Sequence, residues 1–162
     1  MENRKVIIVG SSRSKGNTTK IVDGIANKFQ IDVINLSDYQ ISHYDYESKN
    51  KDDDFLPLIK RIIEEYDMFI FATPVYWYSM SGIMKVFFDR FSDLLRIEKE
   101  TGRKLRGKKF AVISNSHDNE IEFDFYIPFK RTADYLGMKY IGDKHFNADQ
   151  FEPNTDLELA FI

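Results

Sequence analysis

Short apolar segments alternate with amphipathic stretches along most of this 162-residue chain. Five segments have the composition of strands: Lys5–Val9, Ile31–Leu36, Met68–Ala72, Phe110–Ser114 and Lys139–Phe146. Four stretches with helical spacing lie between them: Thr18–Phe29, Asp54–Tyr66, Ser81–Glu98 and Asp124–Leu136. Strands joined by single helices pair in parallel through right-handed crossovers. The alternation therefore predicts a five-stranded, doubly wound α/β domain with helices on both faces of the sheet.

Length and charge narrow the class of protein. A chain of this length fits one domain with a full core, so we expect a single domain over residues 1–162. The net charge of −3 gives no electrostatic case for a nucleic-acid partner. The first apolar run is too short for a signal peptide, and no run approaches the roughly 18 apolar residues of a membrane span. We therefore expect a cytoplasmic protein with no membrane partner.

No metal site is predicted from the sequence. The chain has no cysteine, which excludes disulfides, thiolate nucleophiles and cysteine-bound iron–sulfur or zinc sites. The acidic run Asp52–Asp54 lies at a predicted helix start, where the helix dipole favours carboxylates without any metal. It ends the polar segment Ser42–Asp54, for which we expect a mobile loop. Glu98–Lys109, which is charged and contains two glycines, is expected to be a solvated turn.

The first predicted strand is followed by a loop rich in hydroxyls, Gly10–Thr19. A loop of this kind between a buried strand and a helix offers backbone N–H groups and the positive helix N-terminus to a phosphate. Arg13 adds a charged fork. Five residues separate Gly10 from Gly16, and position 12 is a serine, so neither the Walker loop nor the dinucleotide fingerprint is present. The pattern favours a terminal monophosphate; the alternative is a polar turn with Asn17 or Thr18 as helix N-cap.

A second loop, Thr73–Gly82, follows the third strand and contains three consecutive aromatic residues. Ligands of open α/β sheets lie beyond the carboxyl ends of the strands, so this loop should adjoin the first one. Its backbone N–H groups and aromatic rings suit the edge and face of a flat heterocycle. The alternatives are an aromatic mini-core beneath the loop and an oligomer interface.

A third loop, Ser114–Asn119, supplies donors and acceptors for an edge contact to the same heterocycle. His117 suits an acid/base, a metal ligand or a cationic partner, although an exposed loop histidine is the more common situation. His43 and His145 belong to no motif.

Taken together, the loops resemble those of the flavodoxin-like NAD(P)H-dependent FMN reductases and quinone reductases. The matching segments are the first strand with Gly10–Thr19, the run from Thr73 to Arg90, and Asp124–Gly142. The resemblance covers nearly the whole chain and implies a three-layer α/β/α fold with strand order 2-1-3-4-5. It also implies non-covalent FMN, NADPH or NADH as electron donor, a small-molecule acceptor and a homodimer.

The resemblance further assigns the cofactor-binding residues. Those implied for the phosphate are Ser11, Arg13, Asn17, Thr18 and Thr19. Those implied for the isoalloxazine ring are Pro74, Val75, Tyr76, Trp77 and Tyr78. Ser114, Asn115 and His117 would face the pyrimidine edge, where the family often has glycines instead. Relatives with a cysteine cluster after the second strand bind an iron–sulfur centre, and the absence of cysteine separates this chain from them.

The resemblance implies that flavin N5 carries the chemistry, so no side chain is assigned as catalytic. The leading hypothesis is an oxidoreductase that takes hydride from NAD(P)H and reduces a quinone, azo or nitro compound or a free flavin. The alternatives are a flavodoxin-type electron carrier without a nicotinamide site, and a regulator or scaffold that keeps only the fold. Flavodoxins tend to be strongly acidic, whereas this chain has a charge of only −3 and Arg13 in its first loop.

Overall fold

The central sheet contains five parallel strands. The structure is a computed structural model that describes residues 4–153 and 157–162; expectations that extend to residues 1–3 and 154–156 lie outside the described residues. The strands are β1 (Lys5–Val9), β2 (Asp32–Asn35), β3 (Met68–Tyr76), β4 (Ser79–Met80), β5 (Lys109–Ser116) and β6 (Lys139–Asn147). Their order is β2–β1–β3–β5–β6, and β4 pairs antiparallel with the end of β3. Since β5 and β6 are the fourth and fifth predicted strands, the predicted order 2-1-3-4-5 is confirmed.

Helices cover both faces of this sheet. They are α1 (Asn17–Phe29), α2 (Phe55–Glu65), α3 (Gly82–Asp89), α4 (Asp93–Arg96), α5 (Lys99–Arg103) and α6 (Ile127–Tyr135). α2, α3 and α6 contribute to a phenylalanine-rich cluster on one face, and α1 packs on the other. The predicted doubly wound α/β class is therefore confirmed.

The strand sequences explain why both faces of the sheet must be buried. In β1, Val6 and Ile8 belong to the phenylalanine-rich cluster, whereas Ile7 and Val9 belong to the cluster beneath α1. Successive side chains of a strand point to opposite faces, so a continuous apolar run is stable only when both are buried. All four of these side chains are at most 2% exposed.

The chain after β6 completes the α1 face without forming a helix among the described residues. Phe151, Leu157 and Leu159 are buried there with Ile21 and Ile25 of α1. This segment shows neither helical nor strand periodicity, so no element was predicted there.

Two predictions for the chain between β4 and β5 are wrong, one for a helix and one for a turn. The predicted helix Ser81–Glu98 is divided into α3 and α4 by a 3-10 turn at Arg90–Ser92. The segment Glu98–Lys109 is more ordered than a solvated turn, since it contains α5 and the fully buried Leu105. A Cβ on Gly102 would lie 2.3 Å from the Leu94 carbonyl oxygen, so α5 approaches α4 at a distance that only glycine allows.

Arg90 ties the polar segment 42–54 to the helical layer, although a mobile loop was predicted there. Its side chain is 0% exposed and donates from Nε to Asp93 at 2.8 Å and from Nη1 to Asp53 at 2.5 Å. Nη1 also donates to the Ser42 carbonyl at 3.0 Å. The guanidinium lies 4.8 Å from the Phe55 ring centroid, which adds a cation–π contact.

The acidic run before α2 therefore does more than complement a helix dipole. Asp53 accepts hydrogen bonds from the backbone N–H groups of Ser42 and Phe55 as well as from Arg90. Burial alone would raise the pKa of the Asp53 carboxyl, but the Arg90 guanidinium and these backbone donors hold that pKa below its ordinary value. The run thus fixes the segment before α2.

None of the described helices is long and apolar enough to cross a membrane.

The buried ion pairs give a testable expectation for stability. Arg90→Leu should lower the free energy of unfolding by about 3–5 kcal/mol, because Asp53 and Asp93 lose the charge that compensates their burial. The matched control is Arg103→Leu, which removes an exposed pair with Glu100 and should cost at most about 1 kcal/mol. Urea denaturation measures both, and equal losses would contradict the assigned role of Arg90.

Candidate functional site

Three loops meet at the carboxyl ends of β1, β3 and β5. The backbone N–H of Gly10, which follows β1, donates to the Ala72 carbonyl of β3 at 2.8 Å. The Thr18 hydroxyl, at the start of α1, donates to Asn115 Oδ1 of β5 at 2.8 Å, and both side chains are buried. The first and third loops, separated by nearly a hundred residues in sequence, are therefore joined directly.

Ser81 joins the first loop to the second. Its hydroxyl donates to the Gly10 carbonyl at 2.6 Å and accepts the backbone N–H of Met84 at 3.1 Å, which makes it the N-cap of α3. Its own N–H donates to Thr73 Oγ1 at 3.0 Å. A Cβ on Gly10 would lie 2.8 Å from Met84 Cβ, so this close approach requires glycine at position 10.

The N-terminus of α1 has no internal cap. Its N-cap is Gly16, which has no side chain to accept from the first turn, and that turn contains no acidic residue. The predicted alternative, a turn capped by Asn17 or Thr18, is therefore wrong. Because the first backbone N–H groups of a helix lack partners within the helix, this end of α1 presents donors and positive potential.

The residues predicted for the phosphate surround this helix end, although their side chains differ in availability. Ser11 is buried and its Oγ accepts the Arg13 N–H at 3.4 Å. Thr19 donates to the Arg13 carbonyl at 3.3 Å. Arg13 and Asn17 are exposed, and within residues 4–153 and 157–162 the Arg13 guanidinium makes no hydrogen bond or ion pair. The Thr18 hydroxyl donates its proton to Asn115 Oδ1, so this proton is not available to a phosphate.

The second loop is a tight β-hairpin with its bulky residues at the tip. Tyr76 pairs with Ser79 across a two-residue turn, and the central residues Trp77 and Tyr78 have φ angles of 48° and 64°. Positive φ at both positions is the signature of a type I′ turn, which normally carries Asn or Gly. Trp77 is 93% exposed and Tyr78 is 83% exposed, so the aromatic mini-core suggested as an alternative is absent for these two rings.

The residues before the tip become more exposed as the chain leaves the sheet. Pro74 is buried and lies opposite Asn115 of β5 in the parallel register. Val75 is half-buried and Tyr76 is 46% exposed. The predicted ring-binding residues thus run from the sheet edge outward to the exposed tip.

His145 of β6 holds the third loop in place through hydrogen bonds. Ser114 Oγ lies 2.7 Å from the Tyr126 hydroxyl and 2.8 Å from His145 Nδ1. His145 Nε2 lies 3.2 Å from the Asp118 carbonyl, which can only accept, so the proton belongs on Nε2. Nδ1 then accepts from Ser114, and Ser114 accepts from Tyr126. The chain of hydrogen bonds runs from the buried phenol to the loop backbone.

Burial explains the protonation states along this chain. It lowers the pKa of the His145 imidazole, although the Asp118 carbonyl opposes the shift. Burial also raises the pKa of Tyr126 to about 12. Both groups are thus neutral near pH 7, as the direction of the hydrogen bonds requires.

His117, the other predicted residue of the third loop, is exposed. Its Nδ1 lies 2.9 Å from an Asp149 carboxylate oxygen, and its carbonyl accepts from the Asn147 amide. No group of three or more His, Cys, Asp or Glu side chains that could hold a metal ion occurs in the described parts of the chain.

Sequence reasoning missed the residues that hold the loops together. Ser81 had a usable signal, because a serine immediately before an apolar helical pattern is a typical N-cap. His145 and Tyr126 had none, since their partners are distant in sequence and one of them, Ser114, was interpreted as a ligand contact.

Comparisons with known proteins identify the family to which the chain is similar. A family model described as NADPH-dependent FMN reductase matches residues 4–153. YwqN of Bacillus subtilis, whose name places it among NAD(P)H-dependent FMN-containing oxidoreductases, is 31% identical over 146 residues, which cover 84% of this chain and 80% of that protein. The resemblance drawn from the loops is thereby confirmed.

Solved structures show the same fold. The Trp repressor binding protein of Bacillus subtilis has a TM-score of 0.70 at 27% identity, covering 88% of this chain and 83% of that one. General stress protein 14 of Treponema denticola, solved in complex with FMN, has a TM-score of 0.66 at 19% identity, covering 88% and 85%. A flavodoxin, the WrbA-like protein of Agrobacterium tumefaciens, has a TM-score of 0.59 at 19% identity, covering 86% and 77%, which confirms the flavodoxin-like fold.

The hairpin tip should store backbone strain. Replacing Tyr78 by Asn, which tolerates positive φ, should raise the free energy of unfolding by about 1 kcal/mol. Tyr135→Asn is the matched control, because Tyr135 is similarly exposed but lies at the end of right-handed helix α6, where no gain is expected. Urea denaturation compares the two; an equal change in both would show that the turn is unstrained.

Proposed function

The chain belongs to the NADPH-dependent FMN reductase family, and on this premise we propose that its three loops bind FMN for the transfer of electrons from NAD(P)H to a small organic acceptor. The observation that carries the proposal is the uncapped N-terminus of α1 beside an exposed aromatic hairpin. An anionic group and a flat ring in one ligand match these two features.

The first loop fits the phosphate of FMN in both charge and donors. The helix end presents unpaired N–H groups, Gly16 leaves it open, and Arg13 has a guanidinium free to form a charge-assisted fork. Asn17 and Thr19 would complete the phosphate contacts from the first turn. Ser11 and Thr18 support the site differently, since their side chains hold the loop in shape.

The second loop fits the flavin ring. In a two-residue hairpin turn the central residues lie outside the ladder, so the N–H groups of Trp77 and Tyr78 are available to the polar edge of a heterocycle. Pro74, Val75 and Tyr76 would line the ring nearer the sheet. Asn115 and His117 would face its pyrimidine edge. Ser114 would contribute there only through its backbone, because its buried hydroxyl is engaged by His145 and Tyr126, and Asn115 is held in place by Thr18.

FMN, when bound, supplies the chemistry by accepting a hydride from the nicotinamide and passing electrons to the acceptor. The protein binds the phosphate, orients the ring and leaves the aromatic tip open to a second reactant. No described side chain is assigned a proton-transfer role. The homodimer that the resemblance implies is part of the proposal.

Anaerobic reduction by nicotinamide nucleotides tests this function. Protein loaded with FMN should lose its absorbance near 450 nm when mixed with NADPH or NADH in a stopped-flow instrument. FMN that binds but is reduced by neither nucleotide would favour the electron carrier instead. Failure to bind FMN would favour a protein that retains only the fold.

The phosphate assignment gives a separate prediction. Arg13→Ala should weaken FMN binding by about 1.5–3 kcal/mol, or roughly 10- to 150-fold, because charge-assisted hydrogen bonds are lost. The control is Arg103→Ala in α5, which makes the same charge change near the amino ends of the strands. Fluorescence titration of FMN measures both affinities, and unchanged binding by Arg13→Ala would overturn the assignment.

A further inference from the structure

His145 is a half-buried titratable side chain that contacts the third loop at several points. It lies on β6 directly opposite Ser114 of β5 in the parallel register. Its Nδ1 is 2.8 Å from Ser114 Oγ. Its Nε2 is 3.1 Å from Ser116 Oγ and 3.2 Å from the Asp118 carbonyl oxygen. The imidazole therefore holds the third loop at its first, third and fifth residues.

The hydrogen bonds among Tyr126, Ser114 and His145 accommodate only one protonation state of the imidazole. Two contacts join these groups, one between the two hydroxyls at 2.7 Å and one between Ser114 and Nδ1 at 2.8 Å. When the neutral ring carries its proton on Nε2, the two hydroxyl protons fill both contacts. A further proton on Nδ1 would bring three protons to two contacts, so one donor would lose its acceptor.

The donor that loses its acceptor could not turn to another group. The Ser114 side chain is 0% exposed and Tyr126 is 5% exposed, so solvent does not replace the lost partner. Within residues 4–153 and 157–162 neither hydroxyl has a further hydrogen-bond partner. An unsatisfied buried donor is costly, so a protonated His145 should displace Ser114 or leave its own position.

The charged groups around this chain of hydrogen bonds act in both directions. They are Asp118 of the third loop, Asp143 of β6, Lys130 of α6, Glu152 after β6, and the exposed pair His117 and Asp149. Asp143 accepts the Tyr140 hydroxyl at 2.7 Å and lies 3.7 Å from Lys130, so its charge is partly compensated. Burial lowers the pKa of His145, and Asp118 opposes the shift without reversing it.

The third loop is held from two sides at the residue expected to face the flavin. Thr18 of α1 binds Asn115, and His145 binds the two flanking serines, Ser114 and Ser116. A binding site tolerates displacements of only about 0.5 Å in the groups that contact its ligand. Loss of the contact between His145 and Ser114 would therefore reach Asn115 through the adjacent backbone.

We propose that His145 is a positioning residue whose neutral ring holds the third loop in the conformation that binds FMN, and that protonation of this ring weakens FMN binding. The proposal rests on the FMN site proposed above. The proton comes from water and no electrons move, so the effect needs no nucleotide. Because the neutral form binds, FMN affinity is full above the pKa of His145 and falls as the pH falls through it. Bound FMN should lower the same pKa in return.

NMR tests the protonation state without FMN. The chain has three histidines, so two-bond ¹H–¹⁵N correlation spectra of the labelled protein are simple, and His145→Asn assigns the ring by the loss of its signals. We expect a neutral ring with its proton on Nε2 at about pH 7. A proton on Nδ1, or a charged ring at this pH, would overturn the proposal. A pH titration of the same signals gives the pKa of His145.

The pH dependence of FMN binding tests the coupling. Fluorescence titration compares wild type with His145→Asn from about pH 8 to about pH 5, because the asparagine can accept from Ser114 but does not titrate. The phosphate of FMN titrates near about pH 6, so the measured quantity is the ratio of the two affinities, in which this effect cancels. At one pH unit below the pKa found by NMR, the ratio should have fallen about 10-fold. A change of less than about 3-fold would overturn the proposal.

Two further variants locate the titrating group. His43→Asn, at an exposed position outside the three loops, should keep the pH dependence of the wild type. If the dependence disappears in His117→Asn and persists in His145→Asn, the titration belongs to the pair with Asp149 and the proposal is wrong. Circular dichroism melting identifies folded samples. If His145→Asn is unstable, His145→Gln replaces it, since its amide can donate to the Asp118 carbonyl and does not titrate.

The outcomes separate the role of His145 from the proposed function. FMN binding with the expected pH dependence, but without reduction by either nucleotide, supports the role of His145 while electron transfer fails. Reduction by a nucleotide together with a constant affinity ratio overturns the role of His145 and leaves the proposed function standing.

Discussion

The burial of both faces of the parallel sheet is the constraint on which the rest of the molecule depends. Alternate residues of β1 and β3 point into two separate apolar clusters, so α1 and the terminal segment must cover one face and the remaining helical layer the other. Since both faces are covered, a ligand can approach the strand backbone only at the ends of the strands. The carboxyl edge is the one where Gly10, Ser81 and Asn115 converge, and the site forms there.

Hydrophobic patterning was sufficient to predict the sheet but not the ends of its elements. The run Met68–Ala72 predicted β3, yet the strand continues to Tyr76, and its last two residues pair with β4 instead of with the parallel neighbours β1 and β5. The single helix predicted from Ser81 to Glu98 is interrupted where Arg90 forms its ion pairs. Apolar spacing carries no information on either event, since the first depends on the backbone of a two-residue turn and the second on the polar contacts of Arg90.

The candidate site shows the same division. Loop composition and the order of strands predicted which three loops would meet, because parallel topology alone brings the carboxyl ends together. These two features did not predict that the side chains of Thr18 and Ser114 would form hydrogen bonds with other residues of the protein. Hydrogen bonds between residues distant in sequence leave no local pattern, and His145 is recognisable only once β6 is placed beside β5.

The hydrogen bond between Thr18 and Asn115 has a consequence for the cost of recognition. It forms during folding and is buried, so the first and third loops are already fixed relative to each other before a ligand arrives. Two loops that must be ordered by their ligand consume part of the binding free energy, whereas preorganised loops do not. One threonine hydroxyl thus transfers part of the entropic cost of holding a cofactor from the binding step to the folding of the polypeptide.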